Sequence, residues 1–169
     1  MFDREQVCRL GLPFAGYVVG KLWYRQAGVD DLWWLLRPID EVISFTLDSP
    51  GQWVDGLGYL HPSDNFVLNA GCAGFHFFLI AGLLFALVPA GRTKWWQQLF
   101  LAPLLAWPLT VLANSSRILA LVILTRMGYT DFAAGPPHLA LGTFVYLTFL
   151  LLTGLLLRFA AIHLKPSHA

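Results

Sequence analysis

Three short stretches hold residues suited to covalent chemistry. Cys72 stands in Asn69-Ala70-Gly71-Cys72-Ala73-Gly74-Phe75-His76, Arg117 closes Asn114-Ser115-Ser116-Arg117, and His138 follows Gly135-Pro136-Pro137. A cysteine thiolate is a nucleophile, an imidazole gives and takes protons near neutral pH, and a guanidinium stabilises a developing oxyanion. Together they make an acyl-transfer set. Asn69 as a helix N-cap puts Cys72 in the first turn, where free N–H groups and the helix dipole favour a thiolate. The small residues at 70, 71, 73 and 74 leave the sulfur approachable by a polypeptide. Asn114 lies one helical turn from Arg117 on a similar face, and His76 lies at i+4 from Cys72. His76 is then either a local base or a buried hydrogen-bonding residue.

Each residue also has a structural explanation. A cysteine packs as a small hydrophobe, an arginine near a helix end snorkels or pairs with an acid or phosphate, and an interfacial histidine needs no task. His61, His163 and His168 read as loop or tail residues. There is no Cys-x-x-Cys and no zinc-ligand spacing, so no metal, cofactor or disulfide is expected.

The elements that must position these residues follow from composition. The chain has 169 residues, 57% of them apolar and only 12% charged, with a mean hydropathy of +0.61. A net charge of +1 offers no basic face for nucleic acid, and the composition excludes disorder and fits an ordinary soluble enzyme poorly. No Lys, Arg, Asp or Glu occurs in 65–91, 95–116 or 132–157. Each of these gaps matches a bilayer core about 30 Å thick, which needs roughly 20 helical residues. A shorter apolar run, Leu10 to Gly20, sits between Arg9 and Lys21 and reads as a further span, since no small-x-small cleavage pattern follows it. The expected fold is all-α: one membrane-embedded domain over 1–169, with about four transmembrane helices near 7–24, 68–88, 98–124 and 138–158.

Orientation comes from the loops. Pro89 to Gln98 carries Arg92 and Lys94 without an acid, and the tail carries Arg158 and Lys165, whereas Arg25 to Asn69 holds seven acids and two arginines. The positive-inside rule puts the short loop and both termini in the cytoplasm. Trp95 and Trp96 suit a cytoplasmic interfacial belt. Residues 30–47 (DDLWWLLRPIDEVISFTL) read as two amphipathic pieces on the outer surface, broken at Pro38. Ser49 to Asp64 reads as a loop. In this topology Cys8 and Cys72 lie on opposite sides of the membrane. Counting from Leu99, the helix reaches Arg117 after about 27 Å, near the outer boundary. A charge within a span costs at least about 2.5 to 3.5 kcal/mol, so Arg117 there needs a reason. Cys72, Arg117 and His138 thus converge on the outer face.

The ordered pieces Cys72-Ala73-Gly74, Asn114-Ser115-Ser116-Arg117 and His138 ahead of the last span resemble the exosortase/archaeosortase family of membrane-embedded cysteine transpeptidases. The chain looks most like the compact exosortase K type, and the likeness covers roughly Gly58 to Arg158. The resemblance implies Cys72, Arg117 and His138 as catalytic residues; Asn114 and His76 are read as supporting, with His76 left unassigned by the family's pattern because its histidine maps onto His138. It implies as substrates exported proteins bearing a C-terminal sorting signal: a short motif, a transmembrane helix and a basic tail. In the best-known branch that motif is Pro-Glu-Pro (PEP-CTERM proteins). Cleavage at the outer face of the plasma (inner) membrane would pass through a Cys72 thioester, with His138 pairing the thiolate. Arg117 would stabilise the oxyanion or bind a substrate acid. The acyl group would go to an unknown acceptor, a lipid or a glycan, or to water. The competing readings are a small non-catalytic membrane assembly subunit, with Arg117 and Asn114 as interhelical glue, a small transporter, and a plain hydrolytic protease.

Overall fold

A computed structural model describes residues 4–88, 94–133 and 135–163. Five helices dominate it: α1 (Arg4–Tyr24), α2 (Trp33–Leu47), α3 (Phe75–Leu87), α4 (Trp95–Arg126) and α5 (Gly135–His163). Among the described residues, three apolar stretches are long enough to cross a membrane: Ala70–Leu87, Trp95–Arg126 and Gly135–Phe159. Each overlaps one of the three charge-free gaps of the sequence, and the second continues past its gap through Arg117 to Arg126. The shorter N-terminal run also forms a helix, α1, which is not among those three by composition; its Leu10, Phe14, Val18 and Leu22 side chains are exposed. Arg92, Lys165 and His168 lie outside the described residues, as does the side chain of His163.

α3 and α4 pack through small residues. Ala81, Ala106 and Ala113 are fully buried with Phe77, and Tyr146 and Phe149 of α5 close over them. α4 has 32 residues, so at 1.5 Å per residue it is about 48 Å long and outreaches the bilayer core. Its far end is therefore free to carry a cap built from the segment between α1 and α3.

That cap departs from the sequence expectation in two ways. Residues 30–47 are not two surface pieces: a single turn of 3-10 helix, Asp30–Leu32, leads into one helix that runs through Pro38. A proline leaves the carbonyl four residues back without its donor. Here that carbonyl belongs to Trp34, and the Trp107 indole of α4 donates to it at 3.3 Å. The Leu32, Leu35, Leu36, Ile39 and Ile43 side chains are fully buried. Each contributes about 1.5–3 kcal/mol of apolar burial, and they seat α2 on α4 and on Leu68, Tyr59 and Phe75. The helix is therefore a packed element.

The presumed loop at 49–64 contains most of a sheet, so the chain is mostly helical with a small β addition. Strands β1 (Gln52–Val54), β2 (Gly58–His61) and β3 (Phe66–Leu68) pair antiparallel in that order. Asp55-Gly56 makes the first turn, with Gly56 at φ +72°, a hairpin signal that the Gly- and Pro-rich composition hid. Trp53 faces Tyr59 across the strands, ring centroids 4.9 Å apart.

Two polar ties fix the cap. His61, expected to be a loop residue, ends β2 and is fully buried: its Nε2 lies 2.9 Å from Asp40 Oδ1 of α2, its Nδ1 lies 2.9 Å from Ser49 O, and its ring stacks on Phe66. Arg126, at the end of α4, donates from Nε to Asp64 Oδ1 at 2.6 Å and reaches Leu47 O. The Arg126 hydrogen bond holds the Asp64 carboxyl below the usual carboxylate range.

Candidate functional site

The cap end of the bundle is also where the chemistry-bearing residues meet. Cys72 belongs to a turn of 3-10 helix, Ala70–Cys72, that precedes α3. Asn69 caps this turn as its sequence suggests, its Oδ1 accepting from Gly71 N at 3.0 Å. The α-helix itself begins only at Phe75, after Gly74 in the left-handed region at φ +70°. Cys72 is therefore not in the first turn of α3, and its i+4 alignment with His76 is lost. His76 is exposed and meets the Tyr24 ring edge-on at 4.8 Å. Gly74 is required for space as well as for φ: a Cβ there would sit 3.0 Å from Asn114 Cγ.

A continuous hydrogen-bond chain crosses three elements. Asn114, fully buried in α4, donates from Nδ2 to the Cys72 carbonyl. Its Oδ1 accepts from the Tyr146 hydroxyl at 2.5 Å. Tyr146 Oη in turn accepts from Arg117 Nη1 at 3.3 Å, and Arg117 Nη2 contacts His138 Nε2 at 2.9 Å. A guanidinium only donates, so Nε2 is the acceptor and the imidazole proton is assigned to Nδ1, which faces Phe132 O at 3.3 Å. His138 is thus neutral in this arrangement and its basic lone pair is occupied. Arg117 has no carboxylate partner among the described residues, and its Nε is buried without a hydrogen bond.

Tyr146 escaped the sequence reading, although a signal was present. His138, Gly142 and Tyr146 recur every four residues along one face of α5. The two hydrogen-bonding side chains hold Arg117 from either side, and the buried Gly142 between them makes room: a Cβ there would lie 2.8 Å from Arg117 Nε. Tyr146 is further fixed by stacking on Phe77, centroids 4.8 Å apart.

The Cys72 thiol is half-buried and donates weakly to Val67 O of β3 at 3.9 Å. Among the described residues no hydrogen bond joins its sulfur to His138 or Arg117, so the thiolate–imidazolium pair is not formed in this arrangement. The network reaches the cysteine through its backbone. Beside it opens a cleft of about 200 Å³ lined by Tyr24, Gly71, Gly74, His76, Arg117 and Tyr146, among others. Its walls come from α1, α3, α4 and α5, and a half-buried guanidinium faces into it. Such a cleft can hold a carbonyl group against a cationic donor; Gly71 and Gly74, on either side of Cys72 and Ala73, line it, while the Cys72 side chain does not. Cys8, the other cysteine, is exposed on α1. No group of three or more His, Cys, Asp or Glu side chains converges among the described residues.

A family model of transmembrane exosortases matches residues 42–155, which includes the C-terminal part of α2, the sheet, the Cys72 turn, α3, α4 and most of α5. No curated protein and no solved structure matches the chain.

Proposed function

Because the chain belongs to the transmembrane exosortase family, we propose that it is a membrane-embedded cysteine transpeptidase of the compact K type, cleaving C-terminal sorting signals of exported proteins. The observation that carries this reading is the Arg117 guanidinium, which has no acid partner among the described residues, is shared between His138 and Tyr146, and lines the cleft beside the Cys72 turn. A lone cation held at that depth by neutral groups is suited to meet a charge that arrives or develops there.

The proposed sequence begins when a substrate carbonyl enters the cleft. Arg117 turns from His138 to the carbonyl oxygen, which frees Nε2 to take the Cys72 proton. The sulfur attacks the carbonyl carbon, and the oxyanion rests against Arg117. On collapse the C–N bond breaks and His138 returns its proton to the departing amine, leaving an acyl thioester on Cys72. An acceptor or water then resolves it. Asn114 and Tyr146 do not touch the reacting atoms in this scheme; they position the Cys72 segment and Arg117. The cap end of the bundle faces outward from the plasma (inner) membrane, with both termini cytoplasmic and α1 as a fourth span. What supports that orientation is the loop charge distribution.

A second reading has an observation in its favour. The same hydrogen bonds join α4 to α5 and to the Cys72 turn, as interhelical glue in a non-catalytic assembly subunit would. Co-expression with a reporter ending in a short motif, an apolar helix and a basic tail separates the two. The transpeptidase reading expects processing with wild type and none with Cys72→Ala at equal membrane abundance. Processing that survives Cys72→Ala would support the glue reading.

A further inference from the structure

A second cleft, of about 300 Å³, lies on the cap side of His138. Ser63, Asp64 and Asn65 of the β2–β3 turn form one wall, Thr125 and Arg126 of α4 the other, and Leu121 and Val122 the apolar floor. The two clefts meet at one hydrogen bond: Arg117 lines the first, His138 lines the second, and Nη2 and Nε2 are 2.9 Å apart. The imidazole that lines the second cleft is therefore one hydrogen bond away from the guanidinium that lines the first.

We infer that this second cleft is the acceptor site of the transfer step, and that it takes a neutral hydroxyl-bearing molecule. The inference rests on the transpeptidase reading and assigns the side from which the thioester is resolved. Its chemistry follows from the lining. Asp64 Oδ1 is engaged by Arg126 at 2.6 Å, so the pair presents little net charge, and Oδ2, which has no hydrogen bond of its own, is buried away from the cleft's solvent, so an ammonium group has no open carboxylate oxygen to reach. Arg117 behind His138 has no carboxylate partner among the described residues and repels a cation. What remains on offer is the Ser63 hydroxyl and the Asn65 amide, which exchange hydrogen bonds with alcohols, and the Thr125 oxygen, which accepts while its own proton goes to Leu121 O at 2.9 Å, over an apolar floor. The turn that carries half the site is held to α4 by the Arg126–Asp64 bond, so the cleft is built on a braced element.

The step balances without a further reagent. With Arg117 on the thioester oxygen, His138 Nε2 takes the acceptor's hydroxyl proton while its oxygen bonds to the carbonyl carbon. The C–S bond then breaks, and the proton passes from His138 to the departing sulfur, regenerating the thiol. The product is an ester, and nothing is oxidised or reduced.

The test uses the full chain and p-nitrophenyl acetate as acyl donor, with Cys72→Ala as the blank. A p-nitrophenolate burst reports Cys72 acylation; the ratio of glyceryl acetate to acetate reports how the thioester is resolved in glycerol. A bilayer arm containing phosphatidylglycerol, read by mass spectrometry, tells a membrane-borne hydroxyl from a free one. Transfer in either arm is expected to exceed that of a small thioester in the same buffer by about tenfold or more, since a bound acceptor is pre-oriented. n-Propylamine, cationic at pH 7, should show no such excess. Ser63→Trp and, independently, Thr125→Trp should bring the ratio down to the reference value with the burst intact. A normal burst with the excess unchanged in both variants, or absent in wild type, overturns the acceptor site alone. No burst above Cys72→Ala overturns the transpeptidase reading and the acceptor site with it.

Discussion

Gly142→Ala places one methyl group where the network has no room. The added Cβ would stand 2.8 Å from Arg117 Nε and 3.4 Å from Cδ, so the arginine must move by several tenths of an ångström. Arginine is flexible, but its two Nη atoms are tied to Tyr146 and His138, so a shift stretches at least one of these bonds. Interhelical hydrogen bonds in membrane proteins are worth about 0.6 kcal/mol on average and up to about 1.7. Replacing a helical glycine by alanine returns about 1 kcal/mol. The two nearly cancel, so thermal stability should change by no more than about 1–2 kcal/mol. Turnover responds differently, because misplacing a reacting group by about 1 Å costs on the order of 10²-fold. Gly154→Ala is the control, since nothing lies within 4 Å of its added Cβ on the same helix. The assay is the rate of reporter cleavage in membranes beside the detergent-solubilised melting temperature. Near-wild-type cleavage by Gly142→Ala would refute the claim that the position of Arg117 matters.

Four further outcomes are expected. Arg117→Lys should lose cleavage as severely as Arg117→Ala, because an ammonium cannot span Tyr146 and His138 with a planar fork; reporter cleavage measures it. Tyr146→Phe keeps the stack on Phe77 but frees Arg117 Nη1 and Asn114 Oδ1, so cleavage should fall about tenfold or more with stability loss near 1 kcal/mol, read by the same pair of assays. Asn114→Asp removes the donor to the Cys72 carbonyl; the melting temperature should drop, and limited proteolysis should open the chain near 69–74. Asp64 tests the cap through pH. Its folded-state carboxyl is lowered by the Arg126 hydrogen bond, so its contribution is present above the unfolded value of about 3.9 and is lost as pH falls through the lower folded value. The melting difference between wild type and Asp64→Asn should therefore be flat from pH 8 to about 5 and vanish in stronger acid.

The legible parts of this molecule were those written locally. Three charge-free gaps pointed to the three helices that are long and apolar enough to span, because the bilayer imposes length and composition on contiguous residues. Asn69 as a cap was equally local, but the helix start was not: Gly74 at positive φ splits the Cys72 turn from α3, and that follows from the need to clear Asn114. The sheet stayed hidden because strands of three and four residues leave almost no periodicity, although Asp55-Gly56 was a usable turn signal. Pro38 misled because its orphaned carbonyl is answered by Trp107, 73 residues along the chain. Tyr146, Asp40 and His61 take their roles from contacts between distant segments. Only Tyr146 carried a hint, in its four-residue spacing from Gly142 and His138.

Labelling with a membrane-impermeant maleimide on intact cells tests the central claim most directly, in a Cys8→Ser background so that only Cys72 reports. The account expects Cys72 to be labelled from outside, more slowly in Arg117→Ala than with Arg117 present, and protected by covalent acylation. A Cys72 that reacts only from the cytoplasmic side, or stays silent after mild detergent treatment, would contradict an outward-facing nucleophile.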